Sequence, residues 1–197
     1  MKHKETRIAE IRAVSSDAMI IEGYAVKFNE EALIGSVEHG FLETIEPYAL
    51  SGANMKDVPL KYNHQDNFLV LARTRNKSLE LEIDEVGLKI KAELIDTASN
   101  QDIYKMVKSG LLDKMSFAFT VKSQTWDRTG EVPKRIINEI ERLYDVSIVD
   151  VPAYEGTSIY ARSLELLDSE TSKLENLLRE KEKQIIRKKI KIKGEIY

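Results

Sequence analysis

The sequence predicts a mainly β, α+β domain followed by a C-terminal helical extension. Residues 1–162 contain several short runs in which apolar and polar side chains alternate, and turn-forming residues separate these runs. One segment of this region carries the signals of a helix instead. From Ser163 onward the chain becomes strongly charged, with leucines at helical spacing. We therefore expect a folded domain over residues 1–162 and a separate amphipathic helical tail over 163–197.

The strand candidates begin near the N-terminus and continue through the domain. The clearest covers residues 78–96, where apolar residues alternate on both sides of a turn, the pattern of a β-hairpin. Gly23 is expected to mark a β-bulge in the second strand. The remaining candidates in the first half of the chain are residues 5–14, 17–28, 57–64 and 67–75.

The helix of the domain is predicted at residues 97–110. This segment starts with polar residues, carries three apolar residues at helical spacing and ends at Gly110. Further along, residues 135–154 are best interpreted as one or two strands that end at Pro152. A helix over 136–143 is the alternative interpretation, because apolar residues there also recur at helical spacing.

The strand predicted at residues 111–123 has two different faces. One face carries the large apolar side chains Met115, Phe117, Phe119 and Val121. The opposite face is small and weakly polar, with Ser116, Ala118 and Thr120. Either this face of the sheet is exposed to water, or something must approach the hydroxyl of Ser116.

Composition excludes several classes of protein. The chain has no cysteine, which excludes disulfides, cysteine-based metal sites and a thiol nucleophile. Its formal charge of -3 shows no overall excess of basic residues of the kind that binds nucleic acid. No apolar run approaches the ~20 residues of a membrane helix, and the N-terminus lacks the apolar segment of a signal peptide. We expect a protein that works in a cytoplasm, with neither nucleic acid nor a membrane as partner.

Few residues are available for chemistry. The chain has three histidines, His3, His39 and His64. No HExxH motif and no phosphate-binding glycine motif occurs. Nucleophilic hydrolysis remains, since a serine hydroxyl becomes reactive when an imidazole takes its proton and a third group orients that imidazole. From the residues alone, His64 with Ser116 is one pairing among several.

Several stretches, taken together, resemble a known family. They include an Asn-His-Gln-Asp step, a Met-Ser-Phe-Ala-Phe strand and a Val-Ser-Ile-Val-Asp-Val-Pro-Ala segment. In this order they resemble the prohead proteases of tailed phages, the HK97-type capsid maturation serine proteases. The resemblance covers about residues 20–162. The stretches that carry it are residues 23–30, 41–50, 60–66, 113–121 and 143–159.

The resemblance implies a fold and a set of roles. The family is related to the herpesvirus assemblins, which implies a mostly antiparallel β-barrel with peripheral helices. It also implies that Ser116 is the nucleophile and His64 the general base. The third member of the triad would be the acid just before the Val-Ser pair, which is Asp145.

The choice of acid has two alternatives. Asp150 is the first, and alternation places it on the opposite face of the strand from Asp145. Asp145 shares its face with Ser147, and this more polar face favours Asp145 as the orienting acid. Asp66 is the second alternative, although its position two residues after His64 suits a role in the turn.

The resemblance further implies a serine endopeptidase that cleaves scaffold material, and itself, inside the phage prohead in the bacterial host cytoplasm. Its partners would be the scaffold segment of the major capsid protein or a separate scaffold protein. Backbone N–H groups of the loop at 152–157 are the candidates for an oxyanion hole. No metal ion or organic cofactor is expected for this mechanism.

The tail at 163–197 has two interpretations. It either docks on its own domain as a solvated helix or binds a partner, and on the family analogy it would help to package the enzyme in the immature capsid. Self-association would use an apolar stripe of Leu167, Leu174, Leu178 and Ile185.

Two rival functions stay open. The first is a catalytically inactive scaffold or capsid-assembly protein with a protease-like fold, for which the tail would be the working part. The second is an esterase or another acyl hydrolase, but the sequence has no GxSxG motif.

Overall fold

The computed structural model describes residues 5–13, 18–36, 39–66 and 70–150. The predicted mainly β, α+β class is confirmed, because these residues form ten strands, one α-helix and a short 3-10 turn at Thr74–Asn76. The elements are β1 Glu5–Ala13, β2 Ile20–Lys27, β3 Ala32–Ile34, β4 Phe41–Ile45, β5 Pro59–Tyr62, β6 Ala72–Arg73, β7 Leu79–Ile83, β8 Gly87–Glu93, α1 Ala98–Lys108, β9 Lys114–Asp127 and β10 Lys134–Val149. The loop at 152–157 and the tail at 163–197 lie outside the described residues, so the division into domain and tail stays a prediction.

The strands form one sheet in the order β3-β4-β10-β9-β1-β2-β8-β7. Two long strands change neighbours along their length. The first half of β1 pairs with β9 and its end pairs with β2. The first part of β10 pairs with β4 and its last part with β5, both in parallel, while β9 pairs antiparallel along its other edge. The C-terminal end of β10 therefore lies between β9 and β5.

The sheet is not closed into a barrel. Its path ends at β3 on one side and at β7 on the other, and no pairing among the described strands joins these two edges. The closed barrel expected from the resemblance is therefore not observed in the described part of the chain. The likeness to assemblins stays a prediction.

A single strand, β10, occupies the segment that also fitted a helix. In a regular strand, residues three apart face opposite sides. Ile137, Ile140 and Leu143 have this spacing, yet all three are buried. The reason is a series of irregularities in the pairing of β10 with β9 between Ile137 and Asp145. Each irregularity shifts the alternation, so a bulged strand produces the helix-like spacing. The helix over 136–143 is wrong.

The predicted hairpin and helix hold with shifted bounds, whereas the strand candidate at 67–75 forms a strand, among its described residues, only at Ala72–Arg73 and continues into the 3-10 turn. The hairpin is β7 and β8, and the helix is α1, where Thr97 Oγ1 accepts a hydrogen bond from the Asn100 N–H (3.2 Å) as an N-cap. The irregularity in β2 falls between Tyr24 and Val26 rather than at Gly23. Gly23 is required for close packing instead, because a Cβ there would lie 2.2 Å from the carbonyl oxygen of Glu10.

Strand β9 is buried on both of its faces over residues 115–120. Met115, Phe117 and Phe119 belong to the main hydrophobic core, and the rings of the two phenylalanines stack at 4.8 Å. The small face is buried as well, since Ser116, Ala118 and Thr120 have almost no exposed surface. The first interpretation of the bare face, a sheet surface exposed to water, is therefore wrong.

Candidate active site

A tight turn after β5 places His64. Asn63 and His64 both have positive φ, 50° and 55°, and the Gln65 N–H donates to the carbonyl of Tyr62 (3.1 Å). Two central residues at positive φ characterise the turns that follow the twist of paired strands. Asparagine and histidine are enriched in this region of backbone space. The Asn-His step is thus the local reason for the turn.

The side chain of Asn63 attaches this turn to β10. Its Oδ1 accepts a hydrogen bond from the Asp150 N–H (3.2 Å), and its own N–H donates to the carbonyl of Ile148 (2.9 Å). Because these bonds join the turn to the end of β10, the imidazole of His64 is held next to the residues of that strand.

The structure brings His64 and Asp145 together. His64 Nδ1 lies 2.5 Å from Asp145 Oδ1, and the aspartate side chain is 0% exposed. A buried carboxylate is costly unless it is paired, and this pairing with the imidazole meets that requirement. The other ring nitrogen, Nε2, is buried and has no hydrogen-bond partner among the described residues. An imidazole held at Nδ1 with Nε2 unpartnered is suited to accept a proton.

Ser116 lies one strand away from this imidazole, on the same face of the sheet. It is directly opposite Ser147 in the pairing of β9 with β10, and Ala118 is opposite Asp145. Ser116 is 2% exposed. Its hydroxyl makes no hydrogen bond to His64 in the described structure, since Nδ1 of the ring is bonded to Asp145 and Ser147 and Nε2 has no partner among the described residues. The structure therefore places Ser116 on β9, Asp145 on the adjoining β10 and His64 in the turn after β5, and a hydrogen bond joins the last two.

Two further polar residues belong to the site and were not predicted as functional. Ser147 Oγ lies 3.0 Å from Asp145 Oδ1 and 3.1 Å from His64 Nδ1. The mostly buried Lys61 is opposite Ser147 on β5, and its Nζ lies 3.9 Å from Asp145 Oδ2. A cation at that distance favours the ionised carboxylate. The sequence signal for Ser147 was its position on the same polar face of the strand as Asp145. No sequence pattern indicated a role for Lys61.

The alternative acids have other partners. Asp150 is exposed and accepts a hydrogen bond from the hydroxyl of Tyr62 (3.1 Å). The pKa of Tyr62 is raised above its ordinary value, mainly by burial of the ring and next by this hydrogen bond. Asp66 is largely exposed and pairs with Lys61 Nζ at 2.5 Å. Neither carboxylate accepts from the imidazole of His64.

The other histidines do not join this group. His39 lies in the turn before β4, where its N–H donates to Ser36 Oγ (3.2 Å), and His3 is outside the described residues. Within the described ranges, no cluster of three or more His, Asp or Glu side chains is arranged to hold a metal ion. The same residues include no helix that is long and apolar enough to cross a membrane.

Comparison with known proteins assigns the family. The sequence profile of the caudovirus prohead serine proteases matches residues 5–170, which include every element of the site. The chain belongs to this family. The resemblance found in the sequence is thereby confirmed, and with it the assignment to the proteases of phage capsid maturation.

One curated relative shows how far this chain has diverged within the family. It is the prohead protease of Escherichia phage T5, which is 27% identical over 148 residues, 70% of this chain and 69% of the relative. No solved structure matches the chain.

Proposed function

We propose that this protein is a serine endopeptidase in which Ser116 is the nucleophile, His64 the general base and Asp145 the orienting acid. The observation that carries the proposal is the buried carboxylate of Asp145 at 2.5 Å from His64 Nδ1, with Nε2 unpartnered. This arrangement fits the base and orienter of a serine protease triad. Membership in the prohead serine protease family supports the same chemistry.

The reaction assigns one role to each side chain. His64 Nε2 takes the proton of Ser116 Oγ as this oxygen attacks the carbonyl carbon of the scissile peptide bond. The same nitrogen then donates the proton to the leaving amine, and Asp145 stabilises the imidazolium in between. A water molecule repeats the sequence on the acyl-enzyme. Backbone N–H groups of the loop at 152–157 stay the proposed donors to the oxyanion.

The proposed reaction requires two adjustments from the described state. Ser116 Oγ and His64 Nε2 must come within hydrogen-bond distance, which in many enzymes happens only when the substrate binds. The hydroxyl, 2% exposed, must also become accessible to a peptide carbonyl. Ala118 and Thr120, which share the face of Ser116, are small but buried, so this face offers a substrate no open surface in the described state.

The proposed substrates follow from the family. They are the scaffold segment of the major capsid protein or a separate scaffold protein, together with the protease chain itself, inside a prohead in the host cytoplasm. The proposed self-association through the tail belongs to residues outside the described part. We propose no nucleic acid, membrane, metal ion or organic cofactor as a partner.

The rival function is an inactive scaffold or capsid-assembly protein that keeps the protease fold. One observation favours it: Ser116 is buried and is not hydrogen-bonded to His64. A protein that had lost its activity would retain the pairing of β9 with β10 without needing an accessible hydroxyl.

The experiment compares cleavage of the phage's own capsid and scaffold proteins by purified variants, with products identified by mass spectrometry. We expect cleavage by the wild type, none by Ser116→Ala or His64→Ala, and wild-type cleavage by Ser123→Ala. Ser123 is an exposed serine of the same strand and is the matched control. A fluorophosphonate probe should label every variant that retains both Ser116 and His64. Equal inactivity and no labelling in all proteins would support the inactive scaffold protein instead.

A further inference from the structure

Ser147 is a buried hydroxyl that the proposed reaction does not use. It is 0% exposed and lies on β10 two residues after Asp145. Its Oγ accepts a hydrogen bond from the backbone N–H of His64 (3.3 Å) and donates to Asp145 Oδ1 (3.0 Å). The same oxygen lies 3.1 Å from His64 Nδ1. One hydroxyl thus contacts the backbone of the histidine, its ring and the acid that pairs with it.

These contacts determine where the imidazole proton sits. An ionised carboxylate only accepts hydrogen bonds, and a hydroxyl has a single proton to donate. If the proton of Ser147 is directed at Asp145 Oδ1, His64 Nδ1 faces lone pairs on two oxygens. Nδ1 must then carry a hydrogen, because a bare nitrogen at 2.5 Å from Oδ1 would be repelled. The neutral ring therefore has its free lone pair on Nε2.

The contacts also fix the orientation of the ring. Asp145 alone contacts His64 at one ring atom, around which the imidazole can tilt. Ser147 approaches the same ring atom, Nδ1, from a second position and also contacts the main chain of His64, so that Nδ1 lies between two oxygens. Because Ser147 is directly opposite Ser116 in the pairing of β10 with β9, the hydroxyl sets the ring relative to the strand of the nucleophile.

We propose that Ser147 is a positioning residue of the protease: its hydroxyl supports the Nδ1–H tautomer that Asp145 requires and holds the ring of His64 in the orientation that presents Nε2 for the proton of Ser116. This inference rests on the proposed function. It predicts that loss of the hydroxyl lowers the rate of the chemical step while substrate binding is retained, since Ser147 does not face the substrate in this role.

The kinetic test uses four proteins. Ser147→Ala removes the hydroxyl, and we expect kcat to fall by about 10- to 100-fold with KM changed by less than about 2-fold, the range typical of residues that orient a catalytic side chain. Ser147→Thr keeps a hydroxyl and should recover most of the rate. Thr44→Val is the matched control, because Thr44 lies on β4 at the other end of β10 and its buried hydroxyl has no hydrogen-bond partner among the described residues. It should cleave like the wild type.

A second readout does not depend on cleavage. Nuclear magnetic resonance of isotope-labelled histidine reports the tautomer of each ring, and the signal of His64 is assigned with His64→Ala. We expect the Nδ1–H tautomer in the wild type and in Thr44→Val, and a mixture of tautomers or a rapidly exchanging Nδ1 proton in Ser147→Ala. Melting temperatures show whether each variant is folded.

The outcomes separate this inference from the proposed function. If the wild type cleaves and Ser147→Ala has the same kcat and the same His64 tautomer, the positioning role is overturned while the protease assignment stands. If no protein cleaves, the proposed function fails, and the resonance of His64 decides alone whether Ser147 holds the ring. A fall in kcat that Ser147→Thr does not restore, with an unchanged tautomer, would also contradict the proposal.

Discussion

Asp145 Oδ1 lies 2.5 Å from His64 Nδ1, although the two residues are 81 positions apart in the chain. Strand β10 makes this contact because its last regular stretch, after the final irregularity at Leu143 to Asp145, points Asp145 to the side of Ser116. Asp150 follows the last residue of the same strand, is exposed and accepts a hydrogen bond from the hydroxyl of Tyr62. We therefore predict that catalysis depends on Asp145 and does not depend on Asp150.

Replacing each aspartate by asparagine tests these roles. Asp145→Asn keeps the shape of the side chain but removes the charge that holds the Nδ1 proton, so we expect kcat to fall by about 10⁴-fold, the loss that the same replacement causes in a serine protease triad. Asp150→Asn should leave kcat within about 3-fold of the wild type, because only a hydrogen bond to an exposed carboxylate is weakened. The measurement is steady-state cleavage of a scaffold-derived peptide. Similar losses in both variants would contradict the assignment of Asp145.

The turn at Asn63 predicts an order of stabilities. Asn63→Gly and Asn63→Ala both lose the bond to the Asp150 N–H, but alanine additionally adopts positive φ with a Cβ, which costs about 1 kcal/mol or more. Asn63→Ala should therefore be less stable than Asn63→Gly by about 1 kcal/mol. Asn63→Asp keeps an acceptor and should be the most stable of the three variants. Urea denaturation measures the free energies of unfolding, and equal values for glycine and alanine would argue against strain in this turn.

The turn between β7 and β8 predicts a dependence of stability on pH. Asp84 accepts hydrogen bonds from the Tyr24 hydroxyl (2.7 Å) and from the N–H groups of Val86 and Gly87. The bond from Tyr24, then that from the Gly87 N–H, lowers the pKa of Asp84 below its ordinary value of 3.8. A lowered pKa in the folded state means that the unfolded chain binds the proton first. The stabilisation is therefore complete above the pKa of the unfolded chain and is lost as the pH falls through the folded pKa.

Asp84→Asn tests this pH dependence. The wild type should be more stable than this variant at neutral pH, and the difference should shrink as the pH is lowered below about 4. Glu85→Gln, which removes an exposed charge from the same turn, is the control and should show no comparable loss at neutral pH. The free energy of unfolding is measured by urea denaturation across this range. A difference that stayed constant from neutral to acid pH would show that the hydrogen bonds of Asp84 do not favour its ionised form.

A buried ion pair at the other end of β10 predicts a large effect on stability. Arg135 and Glu43 are 1% and 2% exposed and lie 2.9 Å apart, with Gln124 Oε1 accepting from Arg135 Nε (2.7 Å). Glu43→Gln removes a counter-charge from a buried guanidinium and should lower the free energy of unfolding by about 3–5 kcal/mol. Glu139→Gln breaks the exposed pair with Lys122 and should cost less than about 1 kcal/mol. Chemical denaturation measures the free energy of unfolding of both variants. Equal losses would contradict the prediction that the buried pair contributes more than the exposed pair.

The local elements were predictable because their signals lie within a few residues of one another. The alternation of apolar residues marked the hairpin of β7 and β8, and the polar start and terminal glycine marked α1. Alternation also separated Asp145 from Asp150 by face, since this property depends only on the parity of positions in a regular strand. The family resemblance supplied the pairing of His64 with Ser116, which no spacing in the chain indicates.

The features that were missed depend on pairing between distant segments. The burial of Ser116 and the open path of the sheet follow from which strands are neighbours. Ser147 and Lys61 join the site because β5 and β9 pair with opposite edges of β10 in a particular register. The bulges of β10 left a helix over 136–143 as an alternative to the predicted strand for the same reason, since they are irregularities in the pairing of two strands. The sequence by itself determined which residues face the same side in the regular parts of a strand, because alternation there is a property of the backbone. Only the tertiary structure decided which faces meet, because register is set by the packing of strands that are far apart in the chain.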